Sequence, residues 1–258
     1  MDRKELAKEV IQIARQAGGA IMAIYGRDDF GVELKKDESP LTLADKAAND
    51  IICAALEKLP MQYPIISEEN KAIPYEERKD FEYNWLVDPL DGTKEFIKRN
   101  GEFTVNIALI HNGAPVLGVV HVPSFNETYW AVKGEGAYWE HNGKTQSIQA
   151  ATFSLSDPGL HVVCSRSHLN DDTQAFIDQL QSPELVAKGS SLKFLIVARG
   201  EAQIYPRLGP TMEWDTAAAQ TVLEGAGGKV IDEETKQPLR YNKESLRNPY
   251  FIAYGKVQ

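Results

Sequence analysis

Residues 85–93 read Trp85-Leu86-Val87-Asp88-Pro89-Leu90-Asp91-Gly92-Thr93, an apolar run that ends abruptly in two aspartates, a glycine and a threonine. A hydrophobic strand that stops at carboxylates puts negative charge at the edge of a core. Bare buried carboxylates are costly, so they are usually paired or bound to a metal. Pro89 has no N–H with which to extend a sheet ladder, and Gly92 permits backbone shapes that other residues resist. The segment therefore reads as a strand end bent to aim oxygens at one point. An ordinary Asp-Gly turn is the plain alternative.

Two sharper alternatives fail on spacing. In the haloacid-dehalogenase type of phosphatase an Asp-x-Asp-Gly-Thr motif supplies an aspartyl nucleophile, but here Leu90 stands where the second carboxylate belongs. An EF-hand loop wants oxygen ligands at alternate positions, and Leu90 offers only its backbone carbonyl.

The chain has 258 residues, enough for one large domain or two modest ones, with 43% hydrophobic and 25% charged residues, as in a soluble globular protein. Cys53 and Cys164 are too few for a disulfide framework or a cysteine zinc site, which fits a reducing compartment. The start, Met1-Asp2-Arg3-Lys4-Glu5, lacks the apolar core of a signal peptide, and no stretch approaches a membrane span. A cytoplasmic protein without a transmembrane segment is expected, with loose attachment to the inner membrane surface left open. The net charge of −9 argues against binding to a nucleic-acid backbone. It does not exclude a small anionic substrate, because bound divalent cations reverse the sign of a local site.

Leu6, Val10, Ile13, Ala17, Ile21 and Ile24 recur at helical steps, and a second helix is predicted from about Thr42 to Leu59. Pro64–Ser67 reads as a short strand leading into Glu68-Glu69. Phe103–His111 and Pro115–Val122 read as strands joined around Asn112-Gly113, and Tyr129–Val132 and Ala137–Trp139 as a further hairpin. This half predicts helices packed on an antiparallel sheet. The polar segment from about Ala151 to Gly159 is a plausible boundary, so the expected domains are residues 1–155 and 156–258. Beyond it strands and helices alternate, with strands at 161–164, 184–188, 202–205, 229–231 and 250–254 and helices at 172–180, 191–199 and 216–224, an α/β signature.

Asp45, Glu68, the Asp88/Asp91 pair and Asp215 sit where these elements end. Each has a plain reading: Thr42-x-x-Asp45 caps a helix, Asp215 is an N-cap before Thr216-Ala217-Ala218-Ala219, and Glu68-Glu69 is solvated surface. Together they are the oxygen ligands that magnesium wants. Glu68, Asp88, Asp91 and Asp215 supply four negative charges, which two Mg²⁺ balance. Paired metals suit phosphoryl transfer.

Ser67-Glu68-Glu69, Asp88-Pro89-Leu90-Asp91-Gly92-Thr93 and Trp214-Asp215 followed by Gly227-Gly228 resemble the signature of the lithium-sensitive, magnesium-dependent phosphatases, which include inositol monophosphatase and fructose-1,6-bisphosphatase. The likeness covers essentially the whole chain; one departure is Ser67, where many members have glycine. Within that superfamily, Trp85–Ile110, Ser165-Arg166-Ser167-His168, Gly189-Ser190-Ser191-Leu192-Lys193 and Tyr205-Pro206-Arg207 are similar to the bacterial 3′(2′),5′-bisphosphate nucleotidases. The resemblance implies a layered αβαβα sandwich, of mixed α+β and α/β character, acting as a monomer or homodimer with two or more Mg²⁺ per active site. It implies that Glu68, Asp88 and the Leu90 carbonyl hold the first metal and Asp88, Asp91 and Asp215 the second. Asp45 with Thr93 would orient and deprotonate the attacking water, the Gly92 and Thr93 amides would contact the scissile phosphate, and no covalent enzyme intermediate would form. The implied substrate is 3′-phosphoadenosine 5′-phosphate, an inhibitory by-product of sulfate assimilation, hydrolysed to AMP.

A bisphosphate needs a cationic grip distant from the metals. Ser190 and Lys193 are three apart at the start of a predicted helix, near its positive end, and Arg207 adds a planar fork. These three are the expected anchor for the phosphate that is not cleaved; the plain alternative has Ser190 capping the helix and Lys193 solvated. Arg166 and His168 are candidates for ribose or base contacts. His111, His121, His141 and His161 are read as structural, and Tyr205, Trp130 and Trp139 as core or rim. An inositol monophosphatase is the nearest alternative activity, and a non-catalytic, metal-dependent nucleotide sensor the alternative of another class.

Overall fold

The stripe predicted at the N-terminus is the buried face of helix α1 (Arg3–Tyr25), whose first turn is capped by the Asp2 carboxylate accepting from the Glu5 amide at 2.8 Å. The computed structural model describes residues 2–27, 29, 31–34, 40–165 and 170–258. Strands β1 (Glu33–Leu34) and β2 (Pro40–Leu41) pair antiparallel ahead of α2 (Leu43–Leu56).

A sheet of seven strands follows in the order β3 (Ile65–Ser67), β4 (Tyr83–Asp91), β5 (Thr104–His111), β6 (Ala114–Val122), β7 (Glu127–Val132), β8 (Ala137–His141) and β9 (Lys144–Ile148). Only β3 runs parallel to its neighbour, and the others meander antiparallel. Two short helices flank β4: α3 (Tyr75–Arg78) and α4 (Thr93–Ile97). Strand β9 was not anticipated: four of its five residues are exposed, so no apolar alternation marks it.

After β10 (Thr152–Phe153) the chain builds a five-stranded sheet from β11 (His161–Cys164), β12 (Glu184–Ala187), β13 (Ile204–Arg207), β14 (Lys229–Asp232) and β15 (Phe251–Tyr254), in the order β12-β11-β13-β15-β14. Helices α5 (Asp171–Ile177), α6 (Leu192–Ala198) and α7 (Ala217–Gly225) lie between its strands in sequence. A last strand, β16 (Lys256–Val257), pairs with β10.

The layers follow from the two faces of each sheet. Trp85, Val87, Val105, Ile107, Leu117 and Val119 pack with α1 and α2, while Leu86, Ala108, Ile110 and Val120 pack on the opposite side with α6 and α7. Those two helices share the same apolar cluster with Val163, Tyr205, Phe251 and Ala253 of the second sheet. Ile177 of α5 closes its far face over Val162, Ile204 and Ile252. The result is the layered αβαβα arrangement, of mixed α+β composition. Among the described residues no helix is long and apolar enough to cross a membrane.

Helix α7 approaches the first sheet unusually closely because Gly118 on β6 has no side chain. A Cβ there would lie 2.4 Å from the Ala218 carbonyl oxygen and 2.7 Å from Thr221 Cβ. Backbone cannot give way as a side chain can, so Gly118→Ala must push α7 outward. We expect a loss of about 1–3 kcal/mol or more, measured by urea denaturation. Gly19→Ala, where a Cβ meets nothing within 4 Å, is the control and should be neutral or slightly stabilising.

Candidate active site

Strand β4 delivers the acidic motif by breaking its own regularity. Trp85 and Val87 face α1 and α2 and Leu86 faces away, yet Leu90 rejoins the α1/α2 side, so the alternation has slipped by one residue. The slip coincides with the register shift against β5 between Asp88 and Asp91, where Pro89 sits. The strand therefore does not stop at the first aspartate but runs on, bulged, to Asp91. Leu90 buries its side chain and Asp88 accepts the Leu90 amide at 3.0 Å. Gly92 then adopts φ +96°, a left-handed conformation, and a Cβ there would meet the Glu102 carbonyl oxygen at 3.0 Å.

Carboxylate oxygens of Glu68, Asp88 and Asp215 come within 4.8 Å of one another. Glu68 arrives from the end of β3, its amide bonded to the Val87 carbonyl at 3.1 Å. Asp215 ends a 3₁₀ turn (Glu213–Asp215) and accepts the Met212 amide at 2.9 Å. It is not the cap of α7, which begins after Thr216 with no side-chain cap. Burial, then the charges of Glu68, Asp91, Asp215 and Asp45, hold the Asp88 carboxyl well above the usual range. Asp215 is raised similarly, by burial first and then by Asp91. Like charges gathered at a desolvated edge fit a bound divalent cation, and an all-oxygen donor set is that of a hard ion.

Asp91 stands beside this trio with one oxygen already engaged: its Oδ2 accepts the hydroxyls of Ser190 at 2.7 Å and Ser191 at 2.9 Å. Ser190 Oγ is also 2.7 Å from Thr104 Oγ1, and Ser191 Oγ accepts from Asn106 Nδ2 at 2.9 Å. Thr104 and Asn106 lie on β5, where Asn106 pairs in register with Asp88. Sequence reasoning passed over Ser191, Thr104 and Asn106; the signal was polar residues at alternate positions of an otherwise apolar strand.

Asp45 caps α2 and also bonds to Thr93. Its Oδ2 accepts the Thr42 amide (2.7 Å) and hydroxyl (2.6 Å), completing a capping box for α2. Its Oδ1 accepts the Thr93 hydroxyl at 3.1 Å, which ties α2 to the end of the acidic motif.

The cationic residues line an adjoining lobe. Lys193, half-buried at the start of α6, donates Nζ to the Ser190 carbonyl at 2.7 Å and lies 5.5 Å from the Tyr205 ring centre. Burial lowers its pKa; Arg207 pushes the same way and Asp91 opposes. Arg207 donates Nη2 to the Pro210 carbonyl at 2.8 Å, and its buried Nε has no partner among the described residues. Ser190 takes φ +51° and does not cap α6, whose N-cap is Ser191. Tyr205 is core, edge-on to Phe194, and Trp139 stacks on Tyr129 and His141. Arg166 and His168 lie outside the described residues.

A lobe of about 380 Å³ lined by Glu68, Asp88, Thr93 and Asp215 shares Asp91, Gly92, Lys94, Glu95 and Asp215 with the lobe bounded by Lys193 and Arg207. A third cavity, about 360 Å³, opens beyond Arg207 and Tyr205 toward Cys164, Ser165 and Asn170. Acid and base thus meet in one continuous cleft.

This architecture and acidic motif define a phosphatase class, and residues 2–252 match the model of the inositol monophosphatase family. The chain belongs to that family. It is 48% identical over 245 residues to the 3′(2′),5′-bisphosphate nucleotidase CysQ of Escherichia coli K12, covering 94% of this chain and 97% of that protein. The CysQ of Salmonella typhimurium is 46% identical over 247 residues, 95% of this chain and 98% of its own length. Among solved structures, CysQ from Bacteroides thetaiotaomicron superposes with a TM-score of 0.87 at 42% identity, covering 98% of both chains. The Thermotoga maritima inositol monophosphatase gives 0.79 at 27% identity, covering 98% of this chain and 92% of that one.

The raised carboxyls have a measurable consequence. Both Asp88 and Asp215 have ordinary values of 3.8 and higher ones when folded, so without a cation the folded state binds extra protons. Stability then falls as pH rises above about 4 and through the folded values. A divalent cation removes that penalty, so its stabilising effect should grow with pH. Thermal melts with and without magnesium, at one concentration set about hundredfold above the Kd at about pH 8, should differ by roughly 5–10 °C at about pH 8 and much less at about pH 5. Asp88→Asn should abolish the difference at both pH values.

Proposed function

We propose that the chain is a magnesium-dependent 3′(2′),5′-bisphosphate nucleotidase, converting 3′-phosphoadenosine 5′-phosphate and water to AMP and phosphate. The observation that carries this reading is the single cleft that joins the Glu68–Asp88–Asp215 cluster and the Asp45–Thr93 pair to the cations Lys193 and Arg207. A monophosphate needs only the acidic lobe. A second, distant phosphate explains why two cations are held side by side, one of them stripped of much of its water.

In this reading Glu68, Asp88 and the Leu90 carbonyl hold one magnesium ion, and Asp88, Asp91 and Asp215 hold another. Held there, magnesium would supply charge neutralisation for the phosphate oxygens, a more acidic attacking water and a steadier leaving oxygen. Thr93 donates to Asp45 and so turns its lone pairs toward a water. As that water's oxygen attacks phosphorus, its proton passes to Thr93 while the Thr93 proton passes to Asp45. The bond from phosphorus to the 3′-oxygen breaks, and that oxygen takes a proton from solvent to become the 3′-hydroxyl of AMP, while Asp45 returns the proton it received to solvent. The Gly92 and Thr93 amides contact the phosphate being transferred, and no enzyme atom bonds to it.

Lys193 and Arg207 grip the 5′-phosphate. Because the Ser190 hydroxyl is shared between Asp91 and Thr104, we assign Ser190 to holding Asp91 and, through its carbonyl, Lys193. The cavity beyond Arg207 takes the nucleoside. Residues 1–155 thereby carry most of the metal ligands, and residues 156–258 the substrate-selecting groups and Asp215. Destroying this by-product in the cytoplasm supports sulfate assimilation.

Steady-state kinetics with magnesium on the bisphosphate and on inositol monophosphate separate this activity from its nearest relative, and a preference for the inositol ester would overturn it. Lys193→Ala should raise KM for the bisphosphate about 10–100-fold and leave a simple phosphate monoester nearly unchanged. Equal losses on both would remove Lys193 from substrate selection. Asp45→Asn keeps an oxygen for the α2 cap but accepts no proton; kcat should fall about 10²–10⁴-fold with Tm changed by only a few degrees. Binding of the nucleotide without magnesium-dependent phosphate release from the wild-type protein would instead indicate a sensor.

A further inference from the structure

We infer that Asn49 and Ser67 are positioning residues that clamp the turn presenting Glu68; this rests on the proposed role of Glu68 as a magnesium ligand. Residues 67–70 form a four-residue turn closed by the Asn70 amide bonding to the Ser67 carbonyl at 3.2 Å. Glu68 occupies its first corner. The turn is pinned on its strand side, where Ser67 pairs with Val87 and the Glu68 amide reaches the Val87 carbonyl. That leaves rotation of the turn about the strand axis to be fixed from elsewhere.

Asn49 fixes it from both ends. The Ser67 hydroxyl donates to Asn49 Oδ1 at 2.7 Å, and Asn49 Nδ2 donates to Asn70 Oδ1 at 2.9 Å. Ser67 Oγ also accepts the Glu69 amide at 3.4 Å. Ser67 and Asn49 are 6% and 8% exposed, so these bonds are made largely out of water and a missing partner leaves a buried polar atom. Cys53, one turn further along α2, touches both asparagines at the longer distance of 3.5 Å.

The clamp has a geometric consequence beyond rigidity. Asp45 and Asn49 are four apart on α2 and therefore lie on one face of one helix. One holds Thr93 and the other holds the Glu68 turn, so a single rigid element sets the separation between the water-activating pair and a metal ligand. Glycine at position 67 would offer no hydroxyl for Asn49 to accept.

The test is magnesium titration by calorimetry on the full chain, read beside kcat and KM for the bisphosphate. Ser67→Gly and Asn49→Ala should each weaken magnesium binding about tenfold or more. Ser67→Thr, which keeps the hydroxyl, should stay within about twofold of wild type, and so should Cys53→Ala, which leaves both ends of the turn held. The magnesium concentration for half-maximal rate should shift in parallel, with KM for the bisphosphate nearly constant at saturating magnesium. Wild-type magnesium affinity in both Ser67→Gly and Asn49→Ala would overturn the clamp, and so would Ser67→Thr binding as weakly as Ser67→Gly. If wild type binds magnesium without hydrolysing the bisphosphate, the functional reading fails while the clamp is still decided by calorimetry.

Discussion

The repulsion among Glu68, Asp88 and Asp215, with Asp91 alongside, is the constraint on which the rest of this structure turns. Three carboxylate oxygens within 4.8 Å, with Asp88 only 2% exposed, oppose folding as long as all are charged. Such a group persists only where the surrounding fold over-determines its position. The seven-stranded sheet supplies Asp88 and Asp91 from β4, and the parallel pairing of β3 beside β4 brings Glu68 to the same edge. Asp215 comes from the far side of the layer, carried by the turn that precedes α7.

That last placement depends on buried polar anchors remote from the cleft. Glu213, fully buried, accepts the amides of Asn242 and Lys243 and pairs with the Lys243 ammonium. Asn248 Nδ2 reaches the Met212 carbonyl at 2.7 Å and Thr216 Oγ1 at 3.0 Å. Arg78, 3% exposed, donates to the side chain of Asn242 and the carbonyls of Lys243 and Glu244. A buried ion pair is weak evidence of net stability, but losing one partner is strongly destabilising. Here it fixes one conformation of the turn that ends in Asp215, while Gly118 lets α7 seat closely enough for that turn to reach β4.

Much of this was legible in sequence because it rests on local periodicity. The stripe of α1, the two hairpins and the alternation after residue 159 are short-range patterns, and the structure has them within a few residues. Asp45 was legible twice over, as cap and as catalytic candidate, and both bonds form. What was not legible is long-range pairing of polar groups. Ser190 and Ser191 meet Asp91 across about a hundred positions of chain, and no spacing rule announces it. Pro89 suggested that the strand ends at Asp88. The chain instead absorbs the proline in a bulge, which turns Leu90 inward.

The two halves of the cleft are electrostatic opposites, and each is unfavourable alone. In the acidic lobe, carboxyls are pushed toward protonation; in the basic lobe, Lys193 is pushed toward losing its proton by burial and by Arg207. They cancel only in part: Asp91, which faces both, opposes the shift at Lys193 but has one oxygen committed to Ser190 and Ser191. A ligand carrying cations at one end and an anion at the other relieves both strains at once. A ligand with one phosphate relieves only the first. In the proposed reading, Lys193 and Arg207 favour a bisphosphate because its second phosphate relieves a cost the folded protein already bears.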